Sequence, residues 1–154
     1  MAEQGARLSG TLPLKAMSRL MQACLGNGGE AHVDLHFGRA EIGNVLEMTG
    51  TVGTTVRVAC QRCLDPMELE LRTETRLFLL RAGEREESLS PEVDALTADR
   101  PLSLSQLVED ELLLVMPMIP LHPLARCPAR EHVESSGAVP KDKPFSTLGR
   151  LKRT

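Results

Sequence analysis

Met67, Leu69 and Leu71 alternate with Glu68, Glu70 and Arg72, and the alternation continues toward Leu79. A period of two puts one set of side chains on a buried face and the other in water, which marks a strand. Thr54 to Cys60, just upstream, also reads as a strand, and only Gln61-Arg62-Cys63-Leu64-Asp65-Pro66 separates the two. Strands joined by so short a connection run antiparallel, because a parallel return needs a crossover of about a dozen residues or more. The chain is therefore committed to a β-hairpin whose tip carries Cys60 and Cys63.

The flanking segments add to this sheet. Val33, Leu35 and Phe37 alternate with His32, Asp34 and His36, and Val45 to Val52 reads as a further strand, with Gly50 and Gly53 marking bends or bulges. Ahead of these, Leu14, Met17, Leu20, Met21, Cys24 and Leu25 recur at helical spacing after Pro13, and Gly26-Asn27-Gly28-Gly29 closes the segment. The pattern predicts an amphipathic helix of about three turns. After the hairpin, residues 82–101 are acidic, lack periodicity and contain Pro91 and Pro101, which predicts a solvated, flexible loop. Ser103-Leu104-Ser105-Gln106 has the form of a capping box, and a helix follows through Leu107, Val108, Glu111, Leu112 and Val115 until Pro117. Met116 to Pro120 reads as apolar and extended, and Phe145, Leu148 and Leu151 suggest a short terminal helix. The expected architecture is α+β: a bent antiparallel sheet with an N-terminal helix, a helix after the sheet, and a flexible acidic loop.

A chain of 154 residues fits one domain. We expect 1–154 to form a single unit, with 82–101 as the acidic loop and 128–154 as a loosely ordered basic tail. There is no Trp, no Tyr and only three Phe, so the core has to be built from Leu, Val and Met, and rings that could stack on single-stranded bases are scarce. The net charge of −3 excludes a broadly cationic phosphate binder. Charge is nonetheless segregated: Glu84, Glu86, Glu87, Glu92, Asp94 and Asp99 lie in the acidic segment, and Lys141, Lys143, Arg150, Lys152 and Arg153 in the tail. No basic region leads into an apolar stretch at the N-terminus, and the apolar run Leu112 to Leu121 is too short to span a bilayer. The expectation is a cytoplasmic protein with no membrane partner, in a compartment where disulfides are uncommon.

Cys60 and Cys63 have the C-x2-C spacing that lets two thiolates grip one soft metal ion from a tight turn. Cys127 is the obvious third ligand, and His122 and His132 compete for the fourth place. Three uses stand open: a structural site for one zinc ion, a redox dithiol, and unligated thiols. A redox pair lowers a thiol pKa by sitting at a helix N-terminus, and a hairpin is expected here. Cys24 falls on the apolar face of the first helix and reads as a packing residue.

His32-x-Asp34-x-His36 would project from one strand face, as ligands might, but a wetted strand face looks the same. Glu109-Asp110-Glu111 cannot converge on one substrate atom, because consecutive helix positions diverge; acids near the early turns of a helix, favoured by its dipole, are the simpler account. The sequence has no nucleophile elbow, Gly-rich phosphate loop or H-E-x-x-H, so no catalytic residue, small-molecule substrate or organic cofactor is assigned.

Cys60-Gln61-Arg62-Cys63-Leu64-Asp65-Pro66 resembles a motif of the YceD family, described as large ribosomal RNA subunit accumulation proteins. Val108-Glu109-Asp110-Glu111-Leu112-Leu113-Leu114, with Met116-Pro117-Met118-Ile119-Pro120 and His122, resembles its second hallmark. Lys143-Pro144-Phe145-Ser146-Thr147-Leu148, with Leu151-Lys152, is similar to its C-terminal motif. The resemblance implies a non-catalytic role in synthesis, processing or stability of large-subunit (23S) ribosomal RNA in bacteria. The implied partner is a large-subunit precursor or an assembly factor, and the basic tail is a candidate for RNA contact. An adaptor that binds a ribosomal protein without touching RNA is the alternative. The resemblance also implies a second CxxC in many relatives where this chain has Cys127-Pro128-Ala129-Arg130. Arg130 stands in place of the second thiol, which makes His122 the replacement ligand to test.

Overall fold

The computed structural model describes residues 5–26, 28–40, 45–81, 94–98 and 101–131. Five strands form one sheet in the order β1-β2-β3-β4-β5: β1 (Arg7–Pro13), β2 (Glu30–Arg39), β3 (Leu46–Ala59), β4 (Pro66–Leu80) and β5 (Ala95–Thr97). Two helices, α1 (Ser18–Gln22) and α2 (Leu104–Val115), complete an α+β architecture. No helix among the described residues is long and apolar enough to cross a membrane.

The hairpin forms as its alternation requires. β3 and β4 pair antiparallel from Leu46↔Leu79 to Ala59↔Pro66. Val52, Val56 and Val58 on β3 and Leu71 on β4 are buried, while Thr55, Arg57, Glu70 and Arg72 are exposed. Gly50 does not break β3, which runs on as one strand. A β-carbon at Gly50 would lie 2.1 Å from the Asp34 carbonyl oxygen and 2.9 Å from the Leu35 α-carbon, so glycine is what lets β2 and β3 approach there. The β2–β3 ladder stops at His32↔Gly53. Beyond it β3 keeps β4 as its only sheet partner among the described residues, a two-stranded ribbon of a kind that is marginal alone. Val58, Met67 and Leu69 on this ribbon pack into the core.

Five expectations need correction. The sheet is mixed, because β5 lies parallel to β4 (Phe78↔Ala95 to Leu80↔Thr97) and so also gives the supposed loop 82–101 a strand. Ala95, Leu96 and Thr97 are a short uncharged interval in an acidic stretch, and Leu96 packs against the core. Residues 82–93, 99 and 100, with most of the acidic side chains, lie outside the described residues.

The first helix does not precede the sheet; it lies between β1 and β2. It is also not three continuous turns, but a 3-10 turn at Leu14–Ala16 followed by the five-residue α1. Its buried residues Leu14, Met17 and Leu20 recur every third position, as a 3-10 start requires. The helix ends early because the Leu25 amide donates to the Arg57 carbonyl of β3 at 2.6 Å. Finally, Ser103 sits at the N-cap of α2 without capping it; its hydroxyl pairs with that of Ser105 at 3.0 Å, so the expected capping box does not form.

Apolar residues from three β-strands and both helices meet on one face of the sheet. Leu35, Met48, Val52 and Val58 pack with Leu14, Met17, Leu20, Val108 and Leu112 in a single aliphatic cluster. Buried among these is a carboxylate. Glu109, 3% exposed, accepts the backbone amides of Arg19 (2.6 Å) and Leu20 (3.0 Å) through one oxygen, and the Arg19 guanidinium (2.9 and 3.1 Å) through the other. It therefore caps the first turn of α1 from the neighbouring helix. The expectation that these consecutive acids diverge needs correction too: Asp110 pairs with the same Arg19 nitrogen as Glu109, at 2.7 Å, so Glu109 is more than an acid favoured by its own helix dipole.

Candidate metal centre

The tip of the hairpin is a built turn. The Cys60 amide donates to the Asp65 carbonyl at 2.9 Å, and the Leu64 amide to the Cys60 carbonyl at 2.8 Å. Closing the turn places Leu64 at φ 65°, the one described non-glycine residue with positive φ. The chain leaving α2 returns to this turn. Met116 is extended (φ −70°, ψ 122°) because Pro117 follows it, and the strap 117–127 then runs alongside the tip. The Gln61 amide donates to the Pro120 carbonyl at 2.8 Å, and the His122 amide to the Cys60 sulfur at 3.4 Å. A 3-10 turn at Leu124–Arg126 then leads into Cys127.

Cys60, Cys63, His122 and Cys127 thereby meet, with their ligand atoms all within 4.8 Å of one another. Cys63 Sγ lies 3.3 Å from His122 Nδ1. Cys60 and Cys127 are buried, and Cys63 and His122 are half-buried. All four cysteines of the chain are free thiols. A tetrahedral zinc ion with Zn–S bonds of about 2.3 Å holds its sulfurs about 3.8 Å apart, so this donor set is of the size such an ion requires.

The electrostatics suit a thiolate site. Burial alone would push the Cys60 thiol up, but the amides of Cys63, His122 and Arg62, with the Cys63 thiol, outweigh it and hold Cys60 down to about 5. Burial pushes Cys63 up to about 11; the Asp65 amide opposes this, and the sulfurs of Cys60 and Cys127 add to the rise. The pair thus releases its first proton from Cys60. A depressed thiol pKa is also what a redox dithiol would show, but Cys60 has no exposed surface from which to attack a substrate disulfide. Three thiolates and a divalent ion would sum to −1. Arg62, with a buried Nη1 that has no hydrogen-bond partner, is the cation on the turn itself.

The remaining candidates disperse. His132 and the tail cations Lys141, Lys143, Arg150, Lys152 and Arg153 lie outside the described residues. Cys24 is half-buried against the core, and burial pushes its thiol up. Asp34 is taken by Arg7 through two hydrogen bonds of 2.8 and 3.0 Å, with His36 at 3.8 Å; Asp34 and His32 line a polar groove of about 580 Å³ beside Gly53. Among the described residues these three do not form a metal cluster. Spacing alone identified the cysteines. It did not reveal the Pro120 carbonyl or the amides of Arg62 and Cys63, because backbone donors and acceptors leave no mark in a sequence.

The comparisons place this geometry in context. A family model described as "Large ribosomal RNA subunit accumulation protein YceD" matches residues 48–152, a span that holds all four candidate ligands. A Haemophilus influenzae protein named "Large ribosomal RNA subunit accumulation protein YceD" is 26% identical over 144 residues, covering 89% of this chain and 82% of its own length. No solved structure matches the chain.

Proposed function

The chain belongs to the YceD family, and from that premise we propose that it is a non-catalytic factor in the synthesis, processing or stability of large-subunit ribosomal RNA. The observation that carries this is the family match across residues 48–152. Zinc held by Cys60, Cys63, His122 and Cys127 has a structural part in it: bound there, it stabilises thiolate charge and ties the hairpin tip to the strap after α2. Four protein donors would fill a tetrahedral shell and leave no open coordination position for chemistry. The partner is a precursor of the large subunit. The tail cations Lys141, Lys143, Arg150, Lys152 and Arg153 supply its phosphate contacts, which weaken as salt rises.

A deletion strain with its ribosomal RNA quantified tests the function. Large-subunit RNA falls relative to small-subunit RNA, and the wild-type gene restores it. Normal large-subunit RNA in the deletion strain would remove the proposal. The Cys60→Ser/Cys63→Ser double variant separates the two parts, since full rescue by it would leave the function standing without the metal.

A further inference from the structure

Leu64 combines a left-handed backbone with a side chain that is 73% exposed. A β-carbon is strained in that conformation, and glycine or asparagine relieves the strain. Burial could offset it, but a leucine lying mostly in water returns little to the fold. Strain kept at an exposed apolar residue points to a use outside the isolated molecule.

A second observation comes from the strap. Leu112 to Ala125 contains no Asp, Glu, Lys or Arg, in a chain that is 25% charged. Part of this run is core, yet Leu114 is 80% exposed, Met118 98% and Ile119 65%. Pro117, Pro120 and Pro123 restrict its backbone. The Gln61–Pro120 hydrogen bond and the Cys63–His122 contact hold it against the turn that carries Leu64. An exposed leucine and an apolar segment distant from it in sequence are thus fixed at one end of the molecule.

We infer that this end is a docking surface for a protein of the large ribosomal subunit, whose contact face is an uncharged apolar groove receiving Leu64, Met118 and Ile119. The inference rests on the ribosomal role proposed above and gives it a protein contact. Charge decides the class of occupant. RNA is held mainly by cations on its phosphates and by rings on its bases; this run has no cation, and its one ring, His122, is turned toward Cys63. The buried centres of protein interfaces are depleted of charge and enriched in side chains such as Met. The clamp holds the surface ready, which lowers the ordering cost of binding.

Two probes test it: RNA-free proteins of the large subunit, each identified by mass, and protein-free large-subunit RNA. The wild-type chain binds one identified subunit protein with an affinity that salt changes little. Leu64→Asn weakens that binding about tenfold while the melting temperature holds or rises, because asparagine tolerates the left-handed turn. Met118→Asp/Ile119→Asp abolishes it, and both variants keep the wild-type circular dichroism. Binding to RNA alone, self-association through this surface, binding to neither probe, or variants that bind like wild type would each overturn the inference. Ribosomal RNA levels report separately: normal levels in the deletion strain remove the role, whereas full rescue by Met118→Asp/Ile119→Asp removes only the docking surface.

Discussion

Glu109 reaches back ninety positions to Arg19, whose guanidinium also pairs with the neighbouring Asp110. Burial raises the pKa of the Glu109 carboxyl, but the Leu20 amide, the Arg19 guanidinium and the Arg19 amide together hold it below the ordinary 4.5. A depressed carboxylate contributes stability that is fully present above that ordinary value and is lost as pH falls through the lower, folded one. Urea unfolding as a function of pH therefore shows a decline below about 4.5 that Glu109→Gln lacks, and at neutral pH the variant is less stable by about 2 kcal/mol. Gly50 gives a second single-residue outcome. Gly50→Ala drives a methyl group onto the Asp34 carbonyl, and rigid neighbouring strands have no free space into which to move. The expected loss is about 3 kcal/mol, read from the denaturation midpoint.

Among the elements, those with a long period-two pattern and one wet face were legible in the sequence: β2 and β4 follow from Val33, Leu35, Leu69 and Leu71, whereas β3 reads as two strands parted at Gly53 and is one strand, because Gly53 stays within the ladders to β2 and β4. α2 was legible too, although Ser103 does not cap it in the expected way. β1 was missed because Arg7–Pro13 is an edge strand with only Leu8 and Leu12 as apolar residues, one of them half-exposed, and Gly10 between. β5 was missed because three uncharged residues carry no period, and α1 was overextended because the Arg57 carbonyl that captures Leu25 is a tertiary event. The candidate site was legible as thiol spacing, with His122 named through the resemblance, but that the four donors meet depends on the path of the strap, which leaves no mark in the sequence. At this scale the outcome to test is the ribbon. The expected outcome is one zinc per chain by atomic absorption, lost in Cys63→Ser or Cys127→Ser. Amide hydrogen exchange in those variants accelerates first at Val58–Met67, where only two strands support each other, and last at Val33–Leu35.

For the whole molecule, the donors of the proposed ion close a long loop that holds the second half of the sheet and the second helix. Cys63 and His122 are 59 positions apart, and β4, β5 and α2 lie between them. Chelation of the purified protein lowers its melting temperature in one cooperative step and readdition of zinc restores it; an unchanged melting temperature would show that apolar packing alone sets the stability. A crosslink across that many residues acts mainly on the unfolded chain, whose freedom it restricts by on the order of 4 kcal/mol on the entropic account. It also imposes an order in time. During synthesis the first two sulfurs emerge well before the imidazole and the last thiol, so the nascent hairpin has half a coordination shell until α2 has passed. Metal loading is then a late checkpoint on a completed topology, and a chain stalled before the strap would leave its leading thiols open to oxidation.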